Sequence, residues 1–263
     1  MFKYLITDMD HTLLQENGDL DEESIAVIRR SPLQVSLASA RNPYSMIKFI
    51  QQLRLSGPQL SMNGAIIFKV VNDHVKILQE ETITRRLSYQ LQQYLHQNYP
   101  QIDFTWITTS HWYIPRMTPQ MQEEMQYSGV QPVVGKSLAA TAEPCQIVLI
   151  IKDQQLFKRV QGDLQREFAV EHLAIRSSGD GYLTINAHGV SKGTLVNYLI
   201  KHGAKRSEII GVGDDQNDLP MLEIVGHSLA VANAAPNVKA VADQVILSNQ
   251  HDGIAHYLQQ FGN

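Results

Sequence analysis

Lys3-Tyr4-Leu5-Ile6-Thr7-Asp8-Met9-Asp10-His11-Thr12 is a short apolar run that breaks off into two carboxylates, Asp8 and Asp10, with one residue between them. An apolar segment of that length reads as a buried strand, and ligands of open α/β sheets gather at the carboxyl ends of such strands. One carboxylate at such a place can attack phosphorus while the other moves a proton to the leaving oxygen. Two aspartates can equally solvate a loop and cap the next helix, so the rest of the chain has to discriminate.

Working outward, residues 33–39 form a second apolar run, preceded by helix-like sequence at 24–28 and followed at 44–50 by apolar residues at helical spacing. That alternation predicts a parallel sheet. Residues 65–79 read as two short strands around Asn72-Asp73, a hairpin turn. The pattern then changes. A helix is expected at 85–97, two strands within 102–115, a helix at 119–127, a strand at 145–151, a helix at 154–168 and two strands around Gly179-Asp180-Gly181. Alternation returns with a helix at 191–201, a strand at 209–212, a helix at 219–223, strands at 229–231 and 244–247, and a helix at 253–259. The chain therefore reads as an α/β domain, 1–83 with 187–263, interrupted by an α+β block at 84–186.

Three further clusters carry chemistry. Gly213-Asp214-Asp215-Gln216-Asn217-Asp218 again follows an apolar strand and precedes a helix with Pro220 in its first turn. N-capping accounts for one of these side chains, whereas three carboxylates and an amide suit an oxygen-rich metal site. Like charges about 4 Å apart repel by roughly 4 kcal/mol at an effective dielectric of 20, so several carboxylates facing a phosphate need a cation, and magnesium is the usual occupant. Lys192, in Val190-Ser191-Lys192-Gly193-Thr194, is expected in a first helical turn capped by Ser191. A lysine there opposes the helix dipole, which points to a task such as binding phosphoryl oxygens. Ser39 ends the second apolar run, where its hydroxyl can donate to a phosphate oxygen or simply cap a helix.

At 263 residues, 43% hydrophobic and 18% charged, the chain can bury a real core. Cys145 is the single cysteine, which excludes an intrachain disulfide and a multi-thiolate metal site and suggests a reducing compartment. The start lacks the pattern of a secretion signal and no stretch approaches a membrane span, so a cytoplasmic protein without membrane partners is expected. The formal charge of −4 comes without a basic stripe, which argues against nucleic acid as a partner.

In this order the four clusters resemble those of the haloacid dehalogenase-like hydrolases, and specifically the Cof-type phosphatases of subclass IIB. Asp8-x-Asp10-x-Thr12 is similar to the family's first motif, Ser39 to the second, Lys192 to the third and Gly213-Asp214-x-x-Asn217-Asp218 to the fourth. Asn63-Gly64-Ala65, Ala232-Asn233-Ala234, Val238, Ala242-Asp243 and Asp252-Gly253 are supporting matches. The resemblance implies a Rossmannoid core with a mostly parallel sheet plus an inserted cap that selects substrate. Trp112, Tyr113, Arg116 and Arg176 are candidates for the cap's contacting surface. It also implies Asp8 as nucleophile, Asp10 as general acid and then base, and magnesium on Asp8, the Asp10 carbonyl and Asp214. Ser39, Lys192 and Asn217 would contact phosphate or substrate, with Thr12 and Asp218 in support. The substrate it implies is a small phosphorylated metabolite such as a sugar phosphate.

Two departures matter. His11 stands where these proteins commonly have glycine, so the backbone there must tolerate a side chain, and an imidazole beside the site could add pH-dependent charge to substrate binding. Serine replaces threonine in the second motif, which keeps the hydroxyl. Two other readings stay open: a phosphomutase or phosphotransferase of the same superfamily, and a non-catalytic metabolite-binding regulator. The sequence leaves the oligomeric state undetermined.

Overall fold

The computed structural model describes residues 1–135, 143–168, 172–177 and 181–261. It divides the chain into two compact units, Met1–Leu78 with Ser191–Asn263, and Gln79–Val190. These boundaries differ from the expected 83 and 187 because Ile83 is buried in the inserted unit's apolar cluster and Ala187 packs against that cluster. Residues assigned by sequence to the α/β domain thus belong to the insertion's core.

The chain begins with β1 (Tyr4–Thr7), α1 (Glu22–Arg30), β2 (Gln34–Leu37), α2 (Pro43–Leu53), β3 (Gln59–Ser61), β4 (Ile66–Val71) and β5 (His74–Glu80). Both helices start on side-chain caps: Asp21 accepts from the Glu23 amide at 2.8 Å and Asn42 from the Ser45 amide at 3.0 Å. Pro43 adds a preset φ to the first turn of α2. Strands β3, β4 and β5 make a small sheet in that order. Asn72 and Asp73 link β4 to β5 with φ of 50° and 63°, the left-handed pair of a tight hairpin turn.

The inserted unit continues with α3 (Arg85–Asn98), β6 (Asp103–Ile107), β7 (Trp112–Ile114), α4 (Pro119–Ser128), β8 (Val133–Val134), β9 (Gln146–Ile150), α5 (Gln154–Glu167), β10 (Leu173–Ser177) and β11 (Tyr182–Ala187). Its six-stranded sheet runs β10-β11-β9-β6-β7-β8. Gly179 and Asp180, where the last turn was expected, lie outside the described residues. Leu91 and Leu95 of α3 and Phe157, Val160 and Leu164 of α5 bury against Phe104, Trp106, Ile147, Leu149, Leu183 and Ile185 of the strands. Each such side chain contributes on the order of 1.5–3 kcal/mol through lost water contact. Trp112 is part of a satellite cluster with Ile114 and Met121, and Arg116 pairs with Asp103 at 2.9 Å.

The first unit resumes with α6 (Gly193–Lys201), β12 (Ile209–Gly213), α7 (Leu219–Leu222), β13 (His227–Val231), α8 (Pro236–Val241), β14 (Gln244–Ile246) and α9 (Gly253–Gln259). Its main sheet has the order β14-β13-β12-β1-β2, with every pairing parallel. The α/β class and parallel sheet expected from the sequence are therefore present. Chain order reverses across β1, with β2 on one side and β12 on the other, which opens a crevice at the carboxyl ends of these strands. Asp8, Ser39 and Asp214 follow β1, β2 and β12 at or just past those ends. Among the described residues no helix is long and apolar enough to cross a membrane.

Candidate active site

The carboxyl end of β1 is fixed from both sides. The Asp8 amide donates to the Val212 carbonyl at 3.0 Å, and the Ala38 amide donates to the Thr7 carbonyl at 2.8 Å, which extends both parallel ladders to the acidic residues. The chain then turns tightly, with the Leu13 and Leu14 amides donating to the Met9 carbonyl at 2.9 and 2.8 Å. His11 sits in this turn with φ of 59°, the left-handed region that glycine fills without cost. Its side chain is exposed, which is how a histidine is accommodated there. Asn233 holds the turn by donating from Nδ2 to the His11 carbonyl at 2.7 Å, and Asn249 Nδ2 donates to the Leu14 carbonyl at 2.8 Å. Asn249 was missed in the sequence because nothing local marks a residue whose contact is formed 235 positions away.

Lys192 is the centre of the cluster. Its ammonium donates to Asp8 Oδ1 at 2.6 Å and to Asp218 Oδ1 at 2.7 Å, with side-chain exposures of 1%, 8% and 0% for Lys192, Asp8 and Asp218. Burial pulls the Lys192 pKa down, but the carboxylates of Asp218 and Asp8 outweigh it and hold the ammonium above its usual range. Burial likewise pushes Asp8 well above the usual carboxylate range, with Asp218, Asp214 and Asp10 adding to the rise and Lys192 opposing it. Asp214 is raised by burial and by Asp218. One buried ammonium does not balance this many acids.

Lys192 does not stand inside a helical turn capped by Ser191, as expected from sequence. It occupies the N-cap position of α6 itself, without a side-chain cap bond. The Ser191 amide instead donates to Thr194 Oγ1 at 3.2 Å. This helix start packs against the segment 62–64, where Met62, Asn63 and Gly64 have φ of 50°, 54° and 110° in succession. Gly64 lies directly on the Ser191 backbone, and a Cβ there would stand 2.0 Å from the Ser191 carbonyl oxygen. Gly64→Ala is expected to cost more than about 3 kcal/mol, since it combines a forbidden φ with a backbone clash, and to lower turnover by displacing Lys192. Urea unfolding and steady-state rates on the same preparation check both effects.

Asp218 has both oxygens committed. Oδ2 accepts from the Asp214 and Asp215 amides at 3.0 and 3.1 Å, while Oδ1 takes Lys192. Asp215 supplies the helix-start cap, accepting from the Gln216 amide at 2.7 Å. Gly213 is required by this fold of the loop, because a Cβ would meet the Asp218 Cβ and Cγ at 2.5 Å. Thr12 bridges the two acidic motifs, donating to Asp214 Oδ1 at 2.8 Å and lying 3.5 Å from Asp8 Oδ2. Asn217 Nδ2 donates to Asn63 Oδ1 at 3.2 Å.

Ser39 and Asp10 meet a residue that the sequence reading passed over. The Arg41 amide donates to Ser39 Oγ at 3.1 Å, leaving the hydroxyl proton to donate elsewhere. The Arg41 guanidinium grips Asp10 bidentately, from Nε at 2.9 Å and from Nη2 at 2.6 Å, and lies 5.4 Å from the centre of the Phe49 ring. The only sequence signal was an arginine two residues after Ser39.

Among the described residues Asp8, Asp214 and Asp218 bring carboxylate oxygens within 4.8 Å of one another. The donor set fits a hard divalent cation: buried carboxylates whose acid charge exceeds that of Lys192, and Asn217 Oδ1, a buried acceptor with no hydrogen-bond partner among the described residues. Asp218 spends one oxygen on Lys192 and the other on two amides, Asp8 one on Lys192, and Asp214 one on Thr12.

A family model for haloacid dehalogenase-like hydrolases matches residues 5–258. The chain belongs to this family. Among curated relatives of this haloacid dehalogenase-like hydrolase, Phosphatase YwpJ of Bacillus subtilis is 24% identical, covering 98% of this chain and 99% of its own. The HMP-PP phosphatase of Serratia proteamaculans is 27% identical, covering 99% and 96%. A solved structure of TM0651 from Thermotoga maritima superposes with a TM-score of 0.84 at 23% identity, covering 99% of this chain and 97% of that one. A haloacid dehalogenase-like hydrolase from Bacteroides thetaiotaomicron gives 0.84 at 21% identity, covering 99% of each. At these identities the solved structures establish the fold.

Proposed function

We propose that this hydrolase is a magnesium-dependent phosphatase that cleaves the phosphate monoester of a small metabolite, such as a sugar phosphate, through an aspartyl-phosphate at Asp8. The observation that carries the reading is the Asp8-Lys192-Asp218 contact, in which chain segments 184 and 26 residues apart meet in a buried cluster. Phosphatase names among the relatives support the reaction class.

Lys192 holds Asp8 Oδ1, so Asp8 is oriented for attack on phosphorus and the ammonium also draws the phosphoryl oxygens. Attack forms the Asp8–phosphorus bond as the ester oxygen departs, and Asp10 delivers a proton to that oxygen. Asp10 then takes a proton from water as the water oxygen attacks phosphorus, which frees inorganic phosphate and restores Asp8. Arg41 donates to each Asp10 oxygen once, which fixes the carboxyl group and leaves a second lone pair on either oxygen for the transferred proton. Ser39 donates its hydroxyl proton to a phosphoryl oxygen, and Asn217 faces the same group. Asp218 and Thr12 are positioning residues that hold Lys192, Asp8 and Asp214. Asp8, Asp214 and the Asp10 carbonyl would hold magnesium, which when bound supplies Lewis-acid charge against the phosphoryl oxygens. The inserted unit, on this reading, carries substrate selection.

Chelation tests the metal. Dialysis against a chelator is expected to remove turnover of a generic aryl phosphate, and magnesium to restore it. Saturating magnesium should also raise the unfolding temperature, because an ion bound only by the folded state stabilises it. Full activity in chelator would sink the metal requirement. Release of inorganic phosphate, as opposed to an isomeric phosphate ester, separates hydrolysis from mutase chemistry.

A further inference from the structure

A cavity of about 270 Å³ in the inserted unit is lined by Gln165, by Leu173, Ala174, Ile175 and Arg176 along β10, and by His188. Among the described residues β10 is the last strand of its sheet, paired to β11 alone. Successive side chains of a strand point to opposite faces, so four residues in a row line one cavity only along the strand's edge.

Arg176 makes this more than a crevice. The guanidinium is half-buried, and burial lowers its pKa from the usual arginine value. It donates from Nη1 to the Val190 carbonyl at 2.7 Å. Among the described residues no carboxylate pairs with it, whereas Arg116, Arg166 and Arg41 each have an aspartate. A desolvated guanidinium balanced among the described residues by one carbonyl dipole is costly, and its planar fork has further donors for two oxygens. One fixed cation beside Ala174, the apolar residue on its own face of the strand, matches a single negative charge on a small organic body.

We propose that this cavity binds a small organic carboxylate, with its carboxyl group on Arg176 and its apolar part against Ala174 and the edge of β10. This binding is separate from the chemistry of Asp8. Benzoate is the probe, titrated into the full chain while backbone amide resonances are followed, with methyl benzoate as the uncharged control. Saturable shifts at Ala174, Ile175 and Gly189 are expected in the wild type and in Asp8→Asn alike. Arg176→Gln should weaken binding by about tenfold or more, and the ester should fail to bind. Equal affinity in Arg176→Gln, equal binding of the ester, shifts confined to the surroundings of Asp8, or no saturable binding would each overturn the site. Circular dichroism establishes whether Arg176→Gln folds; if it does not, the contrast between benzoate and its ester on the wild type decides.

Discussion

Asp8→Asn is expected to reduce phosphate release by at least about 10⁴-fold, since the amide keeps the shape of the side chain and removes the nucleophile. The fold should survive. In the native cluster burial raises the Asp8 and Asp214 pKa values, led in both cases by desolvation. A carboxyl whose folded pKa lies above its unfolded value of about 3.9 favours folding fully below that value and loses the contribution as pH rises through the folded pKa. In chelator, therefore, these two groups should make wild-type stability decline as pH is raised from about 4 towards neutrality. Asp8→Asn removes the larger of the two contributions and should flatten that decline. Unfolding in denaturant across the pH range measures it, and a steeper decline in the variant would contradict the electrostatic account.

Lys192→Met should be damaging in both respects. The thioether fits a space of similar length but leaves the Asp8 and Asp218 carboxylates facing each other in a buried cluster without the ammonium between them. Breaking a buried ion pair from one side typically costs about 3–5 kcal/mol. Loss of the charge that draws the phosphoryl oxygens should lower turnover by roughly 10³-fold or more. The two variants thus separate: Asp8→Asn loses rate without losing stability, whereas Lys192→Met loses both. Paired denaturation curves and rates distinguish them, and a Lys192→Met protein as stable as the wild type would mean that the ammonium is not the charge that holds the acids together.

Much of this was legible in the sequence because the decisive segments are short apolar strands that end in acids. β1 and β12 announce themselves by Leu5-Ile6 and Ile209-Ile210 followed by Asp8 and Asp214, and Asn72-Asp73 marks its turn by residue type alone. Features made by long-range contact were not legible. Arg41 is an ordinary arginine until the fold brings Asp10 to it. The cap expected from Ser191 is absent, Lys192 taking the N-cap position where Gly64, far away in sequence, lies on the Ser191 backbone. The three consecutive left-handed residues at 62–64 leave no local signal beyond Asn63-Gly64. The unit boundaries shift for a related reason, since Ile83 falls in the first domain by sequence but buries in the core of the insertion. Trp112, a candidate contact for which packing is the commoner fate, is buried in a satellite cluster.

The central claim is that Asp8 becomes phosphorylated during turnover. Borohydride added while the protein hydrolyses an aryl phosphate should reduce the acyl phosphate, converting the Asp8 side chain to that of homoserine in the peptide identified by mass spectrometry. Asp10, Asp214 and Asp218 should remain unmodified. Sustained phosphate release with Asp8 unmodified, or reduction at another aspartate, would contradict the account.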